Sequence, residues 1–151
     1  MQNALAFDAE DLSTVNTALL LANLTKSLVV EGFEFTTALE HGLKENSMLR
    51  KHSGVIHLAP NNITRYVWAH KEYQPWGEKI PAQCPQCGLL NPWEIASLGK
   101  GDYGIECKNK DCGAVRGRSS GQPFTFQISR PNCGELLTSS GHGSWMKVPA
   151  N

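Results

Sequence analysis

Apolar positions near the start of the chain predict a long first helix. They recur at intervals of three and four residues, at Leu12, Val15, Leu19 and Ala22. A second apolar flank is formed by Leu20, Leu21, Leu24 and Leu28. Asp8 and Asp11 resemble helix-start residues, so we expect a helix from about residue 10 to Val30 that is covered on more than one side.

The next stretch predicts a second helix and one strand. The helix follows Gly32 and buries the apolar positions Ala38, Leu39 and Leu43, and a short turn then ends near His52. Val55–Ala59 reads as a short buried strand closed by Pro60. Residues 63–76 fit both a helical and an alternating period, and we expect a helix there.

A lone strand is unstable because its backbone groups need hydrogen-bonding partners. The strand therefore either pairs with a later strand or has neighbours on polypeptide outside this sequence. The second alternative would make the sequence the carboxy-terminal part of a larger α/β protein, an enzyme fragment whose catalytic residues lie upstream.

The second half of the chain predicts a small β module. Pro75, Gly77 and Pro81 mark a junction over residues 74–81, and short strands are expected over residues 103–107, 115–118, 124–128 and 145–148. We therefore expect an α+β protein with two domains. A helical segment with one short strand would occupy residues 1–75, and an antiparallel β domain would occupy residues 76–151.

Composition indicates a folded protein without a membrane segment. The chain has 151 residues, of which 40% are hydrophobic and 19% charged. No apolar run approaches the roughly 20 residues that a spanning helix needs. Five cysteines are too few for a disulfide-built domain, and the amino terminus is acidic rather than basic. We expect an intracellular protein, in the cytoplasm or the nucleus.

Four of the five cysteines form two short pairs. Cys84 and Cys87 are separated by two residues, and Cys107 and Cys112 by four, with nineteen residues between the pairs. Tetrahedral zinc takes four soft ligands, and two short pairs on separate turns supply them. We expect one structural Zn²⁺, with backbone N–H groups pointing at the sulfurs and with Gly88 and Gly113 at positive φ.

The two pairs resemble the knuckles of the zinc-ribbon group over residues 82–118. The matching positions are Cys84, Pro85, Cys87, Gly88, Cys107, Cys112 and Gly113. Four residues separate the cysteines of the second pair, where two are commoner, and this implies a wider knuckle. Zinc ribbons are small antiparallel modules of transcription, replication and transposon-related proteins. The resemblance therefore implies a structural module that contacts nucleic acid or another protein.

Other interpretations of the cysteines and histidines stay open. Reduced buried thiols, two disulfides or an iron site would use the same four cysteines. Cys133 lies in a Pro-Asn-Cys-Gly sequence that suits a plain turn, although a pairing with His142 would permit a nucleophilic role. His57, in the apolar strand, is read as a core residue.

Charge gives the leading function prediction. Residues 1–78 carry six basic and nine acidic side chains, and residues 79–151 carry eight and five. Basic residues cluster around the second cysteine pair, where they would contact phosphates: Lys108, Lys110, Arg116 and Arg118. We expect a non-enzymatic, zinc-stabilised module that binds nucleic acid. The alternative is a protein-interaction module whose aromatic surface comprises Tyr66, Trp68, Tyr73 and Trp76.

Overall fold

The computed structural model describes residues 3–9, 12–46, 48–114, 121–138 and 143–150. The chain forms two compact units, one comprising Met1–Ala69 and Asn132–Asn151, the other His70–Pro131. The elements of the first unit are β1 (Ala4–Phe7), α1 (Thr14–Val29), α2 (Phe35–Glu45), β2 (Val55–Ala59), β3 (Asn62–Ala69), β7 (Glu135–Leu136) and β8 (Ser144–Pro149). Those of the second are β4 (Trp93–Gly99), β5 (Asp102–Cys107) and β6 (Thr125–Ile128), with short 3-10 turns at Leu49–Lys51 in the first unit and Pro75–Gly77 in the second.

The first unit is built on a five-stranded antiparallel sheet in the order β1-β2-β3-β8-β7. Val55 pairs with Tyr66 between β2 and β3, and Trp68 pairs with Trp145 between β3 and β8. The second of these pairings joins residues that are far apart in the sequence. The sheet therefore depends on the return of the carboxy-terminal segment to β3.

Helices α1 and α2 close the core of this unit against the sheet. The buried side chains of the core are Leu20, Leu24, Ala38, Leu39, Leu43, Leu49, Val55, Tyr66 and Trp145. On α2, the Glu40 carboxylate accepts hydrogen bonds from the Tyr66 hydroxyl at 3.4 Å and from Lys147 at 3.1 Å. These contacts attach α2 to both β3 and β8.

The expected fold class is wrong. A helical first half with a single strand was predicted, but residues 3–69 contain three strands beside the two helices, and strand exceeds helix across the described residues. The protein is mostly β, with two antiparallel sheets and a small helical part. The expected domain division between residues 75 and 76 stays a prediction.

The largest error concerns residues 63–76, which were expected to form a helix and instead form most of β3 followed by a turn. Thr64 and Tyr66 are buried while Ile63 and Arg65 are exposed, which is the two-residue period of a strand. Both periods fitted the sequence. Pairing with β2 and β8 on the two edges satisfies the backbone of β3 and selects the strand.

Asp8 does not begin the first helix. It follows β1, a strand that was not predicted, and its carboxylate accepts hydrogen bonds from the Gly54 N–H at 2.5 Å and from Arg65 at 2.7 Å. Helix α1 starts instead at Thr14, after Ser13. Asp11 lies outside the described residues. Gly32 adopts φ +70° just past the helix, which is consistent with its predicted role as a stop.

The predicted lone strand, β2, has a partner on each side. It pairs with β1 and with β3, so its backbone is satisfied within this chain. Missing upstream strands were inferred because the sequence indicated no partner for β2, and that reason no longer holds. Among the described residues, no helix combines the length and apolarity that a bilayer crossing requires.

The second unit contains a three-stranded antiparallel sheet in the order β4-β5-β6. Strands were predicted over residues 103–107 and 124–128, and β5 and β6 confirm both. Strand β4 was missed, although the alternation of Trp93, Glu94 and Ile95 before a Gly-Lys-Gly turn could have indicated it. The strand predicted over residues 115–118 lies outside the described residues.

His57 is a core residue, as predicted. It is buried on β2, and its ring stacks on Phe35 of α2 with 4.9 Å between the ring centroids. Its Nε2 atom lies 2.8 Å from the Asn3 side-chain oxygen. Burial lowers the pKa of His57, and the positive charge of Lys147 lowers it further. The folded protein therefore favours the neutral ring.

We predict that His57 makes the first unit sensitive to mild acid. Because the folded-state pKa lies below the ordinary 6.5, the unfolding free energy should be constant above that pH and decrease as the pH falls through it. His57→Gln removes the titrating group and should flatten the profile between about pH 7 and 5. Urea unfolding followed by circular dichroism measures both proteins, and identical profiles would refute the assignment.

Candidate metal centre

The four paired cysteines converge at one end of the three-stranded sheet of the second unit. Cys84 and Cys87 lie on the turn before β4, Cys107 is the last residue of β5, and Cys112 lies on the turn that follows. Cys84, Cys107 and Cys112 are buried, and Cys87 is partly buried. The antiparallel pairing of β4 with β5 places Trp93 opposite Cys107, so the sheet brings the two turns together.

The sulfur positions fit one tetrahedral metal ion. All four Sγ atoms lie within 4.8 Å of one another, and the Cys84–Cys112 and Cys87–Cys107 separations are 3.8 and 3.7 Å. Bonds of about 2.3 Å from zinc to sulfur place tetrahedral ligands about 3.8 Å apart. A disulfide requires about 2.05 Å, and all four cysteines are free. The geometry agrees with a shared ion and excludes the disulfide alternative.

The first cysteine turn is closed by its own backbone. The Cys84 N–H donates to the Leu89 carbonyl at 3.0 Å, and the Gly88 N–H donates back to the Cys84 carbonyl at 2.9 Å. Gly88 adopts φ +75°, as predicted, and the Gln83 side chain donates to its carbonyl at 2.7 Å. A tight turn of this kind requires a residue that tolerates the left-handed region.

The second cysteine turn accommodates its longer spacing through Asn109. The Asn109 carbonyl accepts from the Cys112 N–H at 2.9 Å, and its side-chain oxygen accepts from the Asp111 N–H at 3.2 Å. Gly113 then adopts φ +81°, again as predicted. The two additional residues are therefore organised by an asparagine that hydrogen-bonds its own turn.

Backbone N–H groups point at three of the sulfurs, as the sequence predicted. Leu89 donates to Cys87, Asn109 donates to Cys107, and Phe124 donates to Cys112 at 3.5 Å. These dipoles offset part of the negative charge that four thiolates bring to one ion. Because Phe124 precedes β6, the third strand also takes part in the site.

The thiols differ in how readily they ionise. The Asn109 side chain and the Leu89 N–H lower the pKa of Cys87 to about 6. Burial raises the pKa of Cys107 to about 12. At Cys112 the Phe124 N–H favours the thiolate, but burial and the sulfurs of Cys84 and Cys87 outweigh it and raise the pKa. Of these three thiols, Cys87 ionises most readily, and a bound cation would favour ionisation of Cys107 and Cys112.

An aromatic cluster covers one side of the cysteines. Trp93 packs edge-on against Phe126 at 5.5 Å between ring centroids, and Phe124 lies 6.2 Å from Trp93 and 6.0 Å from Phe126. The Trp93 indole N–H donates to the Pro81 carbonyl at 2.5 Å, so its one polar group is satisfied. Trp93 and Phe124 pack directly against the buried sulfurs and limit the access of water to them.

Among the described residues, the other predicted site residues do not join the cluster. Lys108 and Lys110 are exposed on the second cysteine turn. Arg116, Arg118 and His142 lie outside the described residues. Cys133 is exposed and belongs to the first unit, so it is not a ligand of this site.

The four aromatic residues predicted to form a protein-binding surface differ in exposure. Tyr66 is fully buried, and Trp68 packs on the core of the first unit. Tyr73 is exposed and Trp76 is partly buried, and protein binding stays a prediction. Trp76 donates from its indole to the Gly101 carbonyl at 2.5 Å. Of the four aromatics, Tyr73 is the most exposed.

Comparison of this chain with protein-family models, with curated proteins and with solved structures finds no match. The functional inference therefore depends on the four-cysteine cluster itself.

We predict that Cys84→Ser abolishes stoichiometric metal binding and unfolds the second unit. Structural zinc sites contribute on the order of 10 kcal/mol of apparent binding free energy, which exceeds the stability of most small modules. Elemental analysis should find one zinc per chain in the unmodified protein and none in the variant, and thermal melting should lose the transition of the second unit.

Cys133→Ser is the matched control, because Cys133 is an exposed free cysteine outside the cluster. It should retain one zinc and an unchanged melting curve. Full zinc occupancy in Cys84→Ser would remove Cys84 from the site. Iron in place of zinc in the unmodified protein would contradict the identity of the metal.

The two glycines that follow the cysteine pairs should differ in their tolerance of alanine. A Cβ at Gly113 would lie 2.3 Å from the Gln122 carbonyl oxygen, a backbone atom, whereas at Gly88 its nearest neighbour is the Gln83 side chain at 3.4 Å. Gly88→Ala should cost about 1 kcal/mol, from positive φ alone. Gly113→Ala should cost several times more, and equal losses in chemical unfolding would contradict this contrast.

Proposed function

We propose that this protein is a zinc-stabilised binding module that contacts nucleic acid through its second cysteine turn. The convergence of four sulfurs within 4.8 Å of one another carries the first part of the proposal. A site with four protein ligands has no open coordination position for a substrate. The metal therefore has a structural role, and zinc is the ion best suited to it because it has no redox chemistry of its own.

The small size of the second unit explains why a metal would be needed. Its sheet has strands of seven, six and four residues. Apart from the cysteines, Ile105 and Ile128 are the hydrophobic side chains of these strands that are buried. So little buried apolar surface does not offset the conformational entropy lost on folding. A metal bound by both cysteine turns supplies the missing free energy.

Exposed lysines support the second part of the proposal. Lys108 and Lys110 lie on the second cysteine turn, and neither forms an ion pair with another described residue. Arg116 and Arg118 follow within a few residues in the sequence. Asp111 and Glu106 are also exposed there and balance the charge of the two lysines, so the positive excess of this segment comes from Arg116 and Arg118. We therefore expect weak, salt-sensitive binding to phosphates rather than base-specific recognition.

The salt dependence of DNA binding tests this proposal. Fluorescence anisotropy of a labelled single strand and of the matching duplex should show affinity that falls with salt between about 50 and 200 mM. Replacing Lys108 and Lys110 by alanine should reduce the slope of log K against log salt by about 0.7 to 0.9 for each lost contact. The corresponding changes at Arg116 and Arg118 should reduce it further.

A matched control replaces Lys71 and Lys79, two exposed lysines of the second unit outside the cysteine turns. This double variant has the same net charge as the double variant of the turn and should bind as tightly as the unmodified protein. Equal weakening in both would indicate non-specific attraction. Absence of binding at low salt would refute the nucleic-acid proposal and leave the zinc site unaffected.

A cleft in the second unit favours a protein partner as the second candidate. The cleft has a volume of about 540 Å³, and Tyr73, Ile80, Trp93 and Ile95 contribute its apolar lining. Glu72, Glu94 and Lys108 lie at the same cleft, so its charged side chains carry one net negative charge. A mixed apolar and polar lining with this charge suits a peptide that carries apolar and basic side chains. Loss of peptide binding in Tyr73→Ala, with DNA binding unchanged, would separate this function from the first.

A further inference from the structure

Helix α1 carries an apolar seam on its solvent-exposed face. Its positions alternate at four- and three-residue intervals: Val15, Leu19, Ala22, Lys26 and Val29. All five are exposed, and Val15 and Val29 each retain 77% of their accessible surface. This is the a/d spacing of a helix that packs against another helix.

The seam is distinct from the face that packs on the core. The buried residues of α1 are Thr17, Leu20, Leu24 and Ser27. At 100° per residue, their centre lies about 160° around the helix from the centre of the seam. The sequence predicted a helix covered on more than one side. The first unit covers one of these sides, and the seam is the other.

The charge of the seam argues against an anionic partner. Lys26 is the only charged residue of α1, and its ammonium group pairs with Glu31 at 3.0 Å. A helix that binds a membrane surface or nucleic acid carries several basic residues along its polar border. A neutral seam of regular spacing instead matches a second helix of the same pattern.

We propose that α1 pairs with α1 of a second copy of this chain in an antiparallel dimer. A parallel pair would place the two Lys26 ammonium groups opposite each other in the seam. The antiparallel pair places each Lys26 opposite Val15 of the second copy. The aliphatic part of the lysine side chain then packs on the valine, and the ammonium group extends into water. It also places Leu19 opposite Ala22. A large side chain then meets a smaller one in each of these layers.

The size of the seam sets the expected strength of the dimer. Helix α1 has 16 residues, which span about 24 Å, and a helix is about 10 Å wide. A standard stable interface buries about 800 Å² on each partner, more than one helix face of this length supplies. The dimer should therefore be weak and its population should depend on protein concentration.

Sedimentation equilibrium of the zinc-loaded full chain tests the dimer. The unmodified protein should shift from monomer to dimer as its concentration rises. Leu19→Glu places a charge at the centre of the seam and should give a monomer at all concentrations. Leu21→Glu introduces the same change on the same helix but about 120° from the centre of the seam, so this variant should dimerise normally.

Circular dichroism verifies that each variant is folded. If Leu19→Glu unfolds, Ala22→Glu at the neighbouring exposed seam position replaces it in the test. A monomeric unmodified protein would overturn the proposal and leave the seam for a different partner. If the Leu19 and Leu21 variants dissociate equally, or if neither dissociates, any dimer contact lies outside the seam.

The orientation of the helices has its own test. In the antiparallel pair, Val15→Glu faces Lys26 of the second copy and should retain the dimer, with an affinity that decreases as salt is added. In a parallel pair the two introduced glutamates would face each other and separate the chains. A Val15→Glu monomer would therefore overturn the antiparallel arrangement.

Discussion

The second unit depends on the convergence of four sulfur atoms. Its three strands are short, and few of their apolar side chains are buried, so hydrophobic burial alone provides little stabilisation. The cysteine turns hold the sulfurs at tetrahedral separations, and backbone N–H groups are directed at them. A metal ion bound by all four sulfurs would make folding and metal binding one equilibrium in this part of the chain.

The first unit is stabilised differently. It has a conventional core of leucines, a buried tyrosine and a buried tryptophan, contributed by two helices and the central strands of a five-stranded sheet. Its critical interaction is the pairing of β3 with β8, because this joins the two chain segments that form the unit. Along the chain, the second unit lies between these two segments.

This arrangement separates two possible roles within one chain. The second unit carries the metal cluster, the exposed lysines and the cleft from which the binding proposals follow. The first carries the apolar seam of α1, whose proposed role is to bring two copies together. A dimer would present two metal units, and two weak contacts to one extended ligand bind more tightly than one. Weak binding at each second cysteine turn and weak self-association would then be complementary properties.

The sequence by itself determined the metal cluster, the glycine conformations beside it and the end of α1 before Gly32, because each depends on residues close together in the chain. Spacing within a turn fixes where two ligands point, and positive φ favours glycine whatever the surroundings. Tertiary structure decided that residues 62–69 form β3. Both a helical and a strand period fitted these residues, and pairing with β2 on one side and β8 on the other selected the strand. It also decided which side of α1 is buried. Two apolar flanks were visible in the sequence, and only packing against α2 and the sheet distinguished the core face from the exposed seam.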